Sequence, residues 1–92
     1  MAVLATFTVK GDTEELLESY DAAMPRIIEV SSSKPLSHIT TPSDSGIKIF
    51  DVWESEKELN DFAQNPRFHQ VLQETGLPEP AMEVAPVHRF NW

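Results

Sequence analysis

Ninety-two residues with a formal net charge of −8 and no cysteine suit one small domain, residues 1–92, which buries roughly two-thirds of its unfolded surface and would gain stability from pairing with a second copy. The acidic balance disfavours nucleic acid and anionic membrane surfaces as partners. The missing thiols remove disulfides and thiolate chemistry. With no apolar run near the roughly 20 residues that span a bilayer, and no basic region of a signal peptide at the N-terminus, the expected location is cytoplasmic.

From Ala2 to Val9 the side chains alternate. Val3, Ala5, Phe7 and Val9 share one face and Thr6 and Thr8 the other, the pattern of a strand. Gly11 and Asp12 end it, and Asp12 with Glu15 fits a helix start. Leu16, Tyr20, Ala23, Met24 and Ile27 then form a stripe along a helix. Pro25 falls inside the stripe, where a missing donor and a steric clash predict a kink or a short second segment. Acidic residues crowd Asp12 to Asp21 and Asp51 to Asp61, the two helix starts, as solvated faces that suit the helix dipole.

Val30 to Pro35 reads as a loop, and Leu36 to Thr41 alternates again. Thr41-Pro42-Ser43-Asp44-Ser45-Gly46 is a hairpin connection. The third strand, Gly46 to Trp53, sets Ile47, Ile49, Asp51 and Trp53 on one face and Lys48, Phe50 and Val52 on the other. A hairpin symmetrical about Ser43 and Asp44 pairs Leu36 with Asp51 and His38 with Ile49. Leu36, His38 and Thr40 then join the Asp51 face, with His38 diagonal to Asp51.

Ser55 followed by Glu58 predicts a capping box in which each residue satisfies the other's amide. Leu59, Phe62 and Ala63 line the next helix, Asn65-Pro66 interrupts it, and Phe68, Val71 and Leu72 continue its apolar face up to Gly76. Pro78 and Pro80 flank Glu79 in a stiff connection. Ala81 to Phe90 predicts the last strand, with Met82, Val84, Pro86, His88 and Phe90 on one face and Pro86 marking an edge or a bulge.

The order is β-α-β-β-α-β, the split unit of an α+β ferredoxin-like fold: a four-stranded antiparallel sheet with its helices on one face. Large apolar groups on the other face predict a twofold homodimer in which two sheets meet as a barrel.

Five kinds of side chain carry possible chemistry. His38 suits a general base near neutrality, and Asp51 could orient its imidazole and favour the charged form. The same two residues also read as a structural cross-strand pair. Trp53 serves as a cleft wall offering its indole N–H, or as dimer-core packing with that N–H bonded to backbone. His69, beside Phe68, would border a cleft between helix and sheet; Tyr20 could reach it with its hydroxyl, and His88 could face it from the last strand. Arg67 could attract an anion at a helix start or simply be solvated. The three histidines lack the spacing that aims two at one ion, so no metal site is expected. No glycine-rich phosphate loop and no Gly-x-Ser-x-Gly elbow is present.

The passage Phe50-Asp51-Val52-Trp53-Glu54-Ser55, the acidic helix ending at Gly76, the proline-bounded connection and the closing strand resemble the dimeric α+β barrel superfamily, and within it the antibiotic-biosynthesis-monooxygenase-like proteins. The resemblance spans nearly the whole chain. It implies a homodimer with a ligand cleft in each subunit, and relatives that include cofactor-free oxygenases of aromatic or quinol substrates, haem-degrading enzymes, isomerases and cyclases. Fold alone does not choose among these. The expectation is a binder of a planar apolar metabolite that needs no cofactor, with His38 first and His69 second as base, Asp51 as its partner, and Trp53, Tyr20, Phe68 and His88 around the substrate. The alternative is a non-enzymatic dimerisation or ligand-binding module.

Overall fold

The computed structural model describes residues 1–92. Val3, Ala5, Phe7 and Val9 are all buried along strand β1 (Val3–Lys10), while the residues between them are half-buried. The alternation therefore does what it predicts, pressing one face of the strand against helices. Asp12 caps helix α1 (Thr13–Val30), its carboxylate accepting from the Glu15 amide at 3.0 Å. The helix runs through Pro25 without ending. Pro25 is itself exposed, and Ala23 and Ile27 on either side are buried. Packing of those neighbours outweighs the lost hydrogen bond.

Strands β2 (Ser37–Ser43) and β3 (Gly46–Trp53) form a hairpin with only Asp44 and Ser45 between them. The register differs from the symmetrical prediction by two residues. His38 pairs directly with Asp51, and Thr40 with Ile49. A two-residue shift preserves the face of every side chain, so His38 and Thr40 stay with Asp51 and Trp53. Pro42 is accommodated because β2 is an edge strand.

Ser55 caps helix α2 (Glu56–Ala63), accepting from the Glu58 amide at 3.2 Å, but the Glu58 carboxylate makes no return bond to Ser55. Asn65 caps helix α3 (Pro66–Thr75), with Pro66 in its first turn and Gly76 at φ 77° closing it. The break at Asn65-Pro66 thus yields two helices, and the element order is β-α-β-β-α-α-β. Strand β4 (Ala81–Pro86) stops at the proline instead of reaching Phe90, followed by one more backbone bond from Val87 to Ala2. It pairs only with β1, as an edge strand.

The sheet order is β2-β3-β1-β4, antiparallel throughout. Two buried clusters fill the helix side. Val9, Ile27, Ile47, Phe68, Val71 and Leu72 belong to one; Val3, Ala5, Phe7, Trp53 and Leu59 form the other. Phe62 packs against both. The opposite sheet face carries half-buried Leu4, Phe50 and Val52 with exposed Ile39, interspersed with threonines and Lys48. No helix is long and apolar enough to cross a membrane.

Candidate functional site

Strand pleating sets Asp51 and Trp53 on the helix side of β3, about 7 Å apart along the strand. Both are buried, and Trp53 completely. The β2 register brings His38 opposite Asp51, and its Nδ1 lies 2.5 Å from the carboxylate. From α1, the Tyr20 hydroxyl meets His38 Nε2 at 2.6 Å and accepts from the Thr40 hydroxyl at 2.5 Å.

The polarity of this chain follows from its end. An ionised carboxylate can only accept, so His38 Nδ1 carries a proton and donates to Asp51. In the neutral imidazole Nε2 is then the acceptor, and the Tyr20 O–H donates to it. Thr40, Tyr20, His38 and Asp51 form one directed path ending on a buried negative charge. The hydrogen bond to Asp51 holds the His38 pKa above its ordinary value of about 6.5; burial opposes this, and the Asp51 charge adds to it. Burial pushes the Tyr20 phenol above its usual range, against the Thr40 hydrogen bond.

The path lies in the wall of a cavity of about 570 Å³ between sheet and helices. Phe7, Ile49, Met24, Ile27, Phe68 and Leu72 supply much of its apolar lining, and Ser31 to Pro35 with Lys34 form a polar stretch of it. Trp53, Phe62 and Phe68 pack in sequence as tilted rings, with centroids 5.0 and 4.6 Å apart. Trp53 Nε1 is the single buried side-chain nitrogen or oxygen without a hydrogen-bond partner. A buried donor left unpaired costs about 1–3 kcal/mol, and this one belongs to a residue that lines the cavity.

Of the residues the sequence singled out, His38, Asp51, Trp53, Tyr20 and Phe68 all line this cavity. His69 and His88 do not. His69 Nδ1 bonds to the Glu79 carboxylate and its Nε2 lies 2.7 Å from the Ala63 carbonyl, so neither ring nitrogen is free for a ligand or an iron. His88 is exposed beyond the end of β4. Arg67 is exposed at the start of α3. Thr40 was placed on the right face by alternation, yet its part in the path depends on Tyr20, twenty residues away in sequence. No three His, Asp or Glu side chains converge as a metal ion would require.

A four-stranded antiparallel sheet in this order with its helices on one side is a fold this chain shares with solved structures of antibiotic-biosynthesis-monooxygenase-like proteins, as the sequence resemblance implies. Three solved structures make the likeness concrete. SnoaB from Streptomyces nogalater, a cofactor-independent oxygenase, superposes with a TM-score of 0.66 at 13% identity, over 97% of this chain and 93% of its own. A conserved protein from Methanosarcina mazei Go1 gives 0.67 at 12% identity, over 92% and 91%. A candidate antibiotic biosynthesis monooxygenase from Chloroflexus aurantiacus J-10-fl gives 0.63 at 15% identity, over 99% and 98%. The sequence matches no protein-family model and no curated protein. At such identities the likeness is one of fold.

Proposed function

We propose that this chain is a homodimeric, cofactor-independent monooxygenase acting on a planar aromatic or quinol-like metabolite held between sheet and helices. The observation that carries this reading is the hydrogen-bonded path from Asp51 through His38 to Tyr20 in the wall of one apolar cavity, which Trp53, with its unpaired indole N–H, also lines. An apolar pocket with a few convergent polar groups is the usual form of a small-molecule site. The oxygenase SnoaB, which shares the fold, supports the choice of reaction.

In this scheme the Asp51–His38 pair takes a proton from a phenol or enol, and the Trp53 N–H holds a carbonyl oxygen of the same molecule. The resulting anion is electron-rich enough to meet dioxygen directly. A ring CH₂ flanked by such groups becomes C=O as its two C–H bonds break; one oxygen atom enters the substrate and the other leaves as water with those two hydrogens, and all four electrons that reduce O₂ come from the substrate. The helix-free sheet face, with Leu4, Ile39, Phe50 and Val52, is the surface on which a second copy would pack.

The test uses 1,8-dihydroxyanthrone in air, without added metal or flavin. The expected result is quinone formation with one O₂ consumed per quinone, lost in anaerobic buffer and lost in His38→Ala with the oligomeric state unchanged. Full activity in His38→Ala would overturn the assignment. The non-enzymatic binding module remains the outcome if probes bind without oxygen uptake.

A further inference from the structure

His38 Nε2 does not face the cavity alone. The Tyr20 oxygen sits 2.6 Å from it, and the Thr40 hydroxyl lies 3.4 Å away on the same side. A hydroxyl oxygen has one proton to give and two lone pairs. Tyr20 gives its proton to His38, and Thr40 occupies one lone pair. One lone pair on Tyr20 is left, on a residue that lines the cavity. Of the two hydroxyls in the path, Tyr20 is the one that lines the cavity, and its open position there is an acceptor.

We propose that Tyr20, not His38, is the residue that touches the ligand's acidic hydroxyl, and that His38 receives the proton through it. This rests on the reading of the cavity as a small-molecule site and adds the substrate class: a planar molecule bearing an ionisable O–H for Tyr20 and a carbonyl-like acceptor for Trp53. In the transfer, the ligand O–H breaks as a new O–H forms on Tyr20, while the original Tyr20 O–H breaks as an N–H forms on His38 Nε2. The products are a ligand oxyanion, a neutral tyrosine and an imidazolium paired with Asp51. The imidazolium now donates to the Tyr20 oxygen, so the tyrosine proton turns towards the oxyanion and stabilises it. One hydroxyl thus first accepts the proton and then holds the anion. Because burial raises the Tyr20 pKa, the residue relays protons and does not itself persist as tyrosinate. The charges that bear on the pair are Asp51 from β3 and Asp21 from α1, with Lys34 lining the same cavity from the loop after α1.

The probes are 4-nitrophenol and its methyl ether 4-nitroanisole, which differ only in the donor. At a pH where free nitrophenol is protonated, the wild-type chain is expected to bind nitrophenol about tenfold more tightly than the ether. The nitrophenolate absorption band should also develop at lower pH on the protein than in water. Tyr20→Phe should bring the two affinities together and remove the band shift, with a matched circular dichroism spectrum as the check on folding. His38→Gln should keep the hydroxyl preference but lose the early anion band. If Tyr20→Phe keeps both signatures while His38→Gln loses both, the ligand proton goes straight to His38 and the inference is overturned. Equal wild-type binding of the two probes overturns it alone, and binding of neither overturns the cavity reading with it.

Discussion

Two histidine–carboxylate pairs occupy different regions of this molecule, and their contrast shows what makes such a pair a chemical site. His38–Asp51 joins β2 to β3, with the carboxylate side chain only 5% exposed. His69–Glu79 joins α3 to the connection before β4, with side chains 43% and 55% exposed. Both imidazoles have their pKa raised, and for both the leading cause is the hydrogen bond to the carboxylate. That shift does not distinguish them. The second ring nitrogen does. In His38 it leads through Tyr20 into a cavity; in His69 it ends on the Ala63 carbonyl. A pair closed at both ends can fasten three segments of chain but has nowhere to send a proton.

Removing each imidazole is the most forceful way to break that contrast. His38→Ala should reduce anthrone turnover by about 10²–10⁴-fold, the usual worth of a positioned acid or base. His69→Ala should leave it within about twofold, as expected for an exposed group away from the cavity. A comparable loss in both variants, read as kcat/KM with matched circular dichroism spectra, would erase the distinction.

The next largest effect is on pH dependence. Proton removal needs neutral His38, so activity should rise with pH through the His38 pKa, placing the acid limb above the ordinary histidine value of about 6.5. Asp51→Asn deletes the hydrogen bond to a charged partner and the attraction that together raise this pKa, leaving burial, which lowers it. The limb should therefore move to lower pH in Asp51→Asn, with a reduced maximal rate. Glu79→Gln should leave the limb where it is. A shift of equal size in Glu79→Gln would show that the limb reports something other than His38.

The pieces of this site were unevenly legible in the sequence. Alternation placed His38, Thr40, Asp51 and Trp53 on one face, and that survived because the register differs by an even number of residues. The register itself was not legible. Six turn-forming residues from Thr41 to Gly46 allow several hairpins, and the choice is made by contacts distant in sequence. Gly46, at φ 148°, abuts the Val9 carbonyl so closely that no side chain fits, and the Thr13 hydroxyl donates to the Ser43 carbonyl at 2.8 Å. Tyr20 was visible as part of a helical stripe, but its bond to His38 depends on how α1 lies across the sheet, which periodicity does not encode. Of the kink or short second segment that Pro25 predicts, the second segment does not form, for the same reason: burial of Ala23 and Ile27 carries one helix through the proline. His69 looked like a cleft residue because its neighbour Phe68 is one. Only the position of Glu79 after the turn at Gly76 shows where the ring is held.

The smallest expected effect concerns stability at the His69 clip. Both ring nitrogens face acceptors, so only the imidazolium satisfies them together. A histidine whose pKa is higher in the folded than in the unfolded chain binds more protons when folded. Its stabilisation is complete below the unfolded value of about 6.5 and fades as pH rises through the raised folded value. Because the pair is largely exposed, solvent screening limits it to at most about 1 kcal/mol. Urea midpoints measured at about pH 5.5 and about pH 8.5 should therefore fall with pH in the wild-type chain, by a smaller amount in Glu79→Gln, and by a smaller amount in Asp51→Asn for the corresponding reason at His38. The two variants should separate in a second measurement. Glu79→Gln loosens the connection that carries Leu77, Pro78 and Pro80 into the cavity wall, so it should weaken nitroanisole binding slightly at low pH, where the clip is closed in the wild-type chain, and match the wild-type chain at high pH. An affinity difference that persisted unchanged at high pH would mean that the carboxylate acts on the cavity by some route other than the imidazolium.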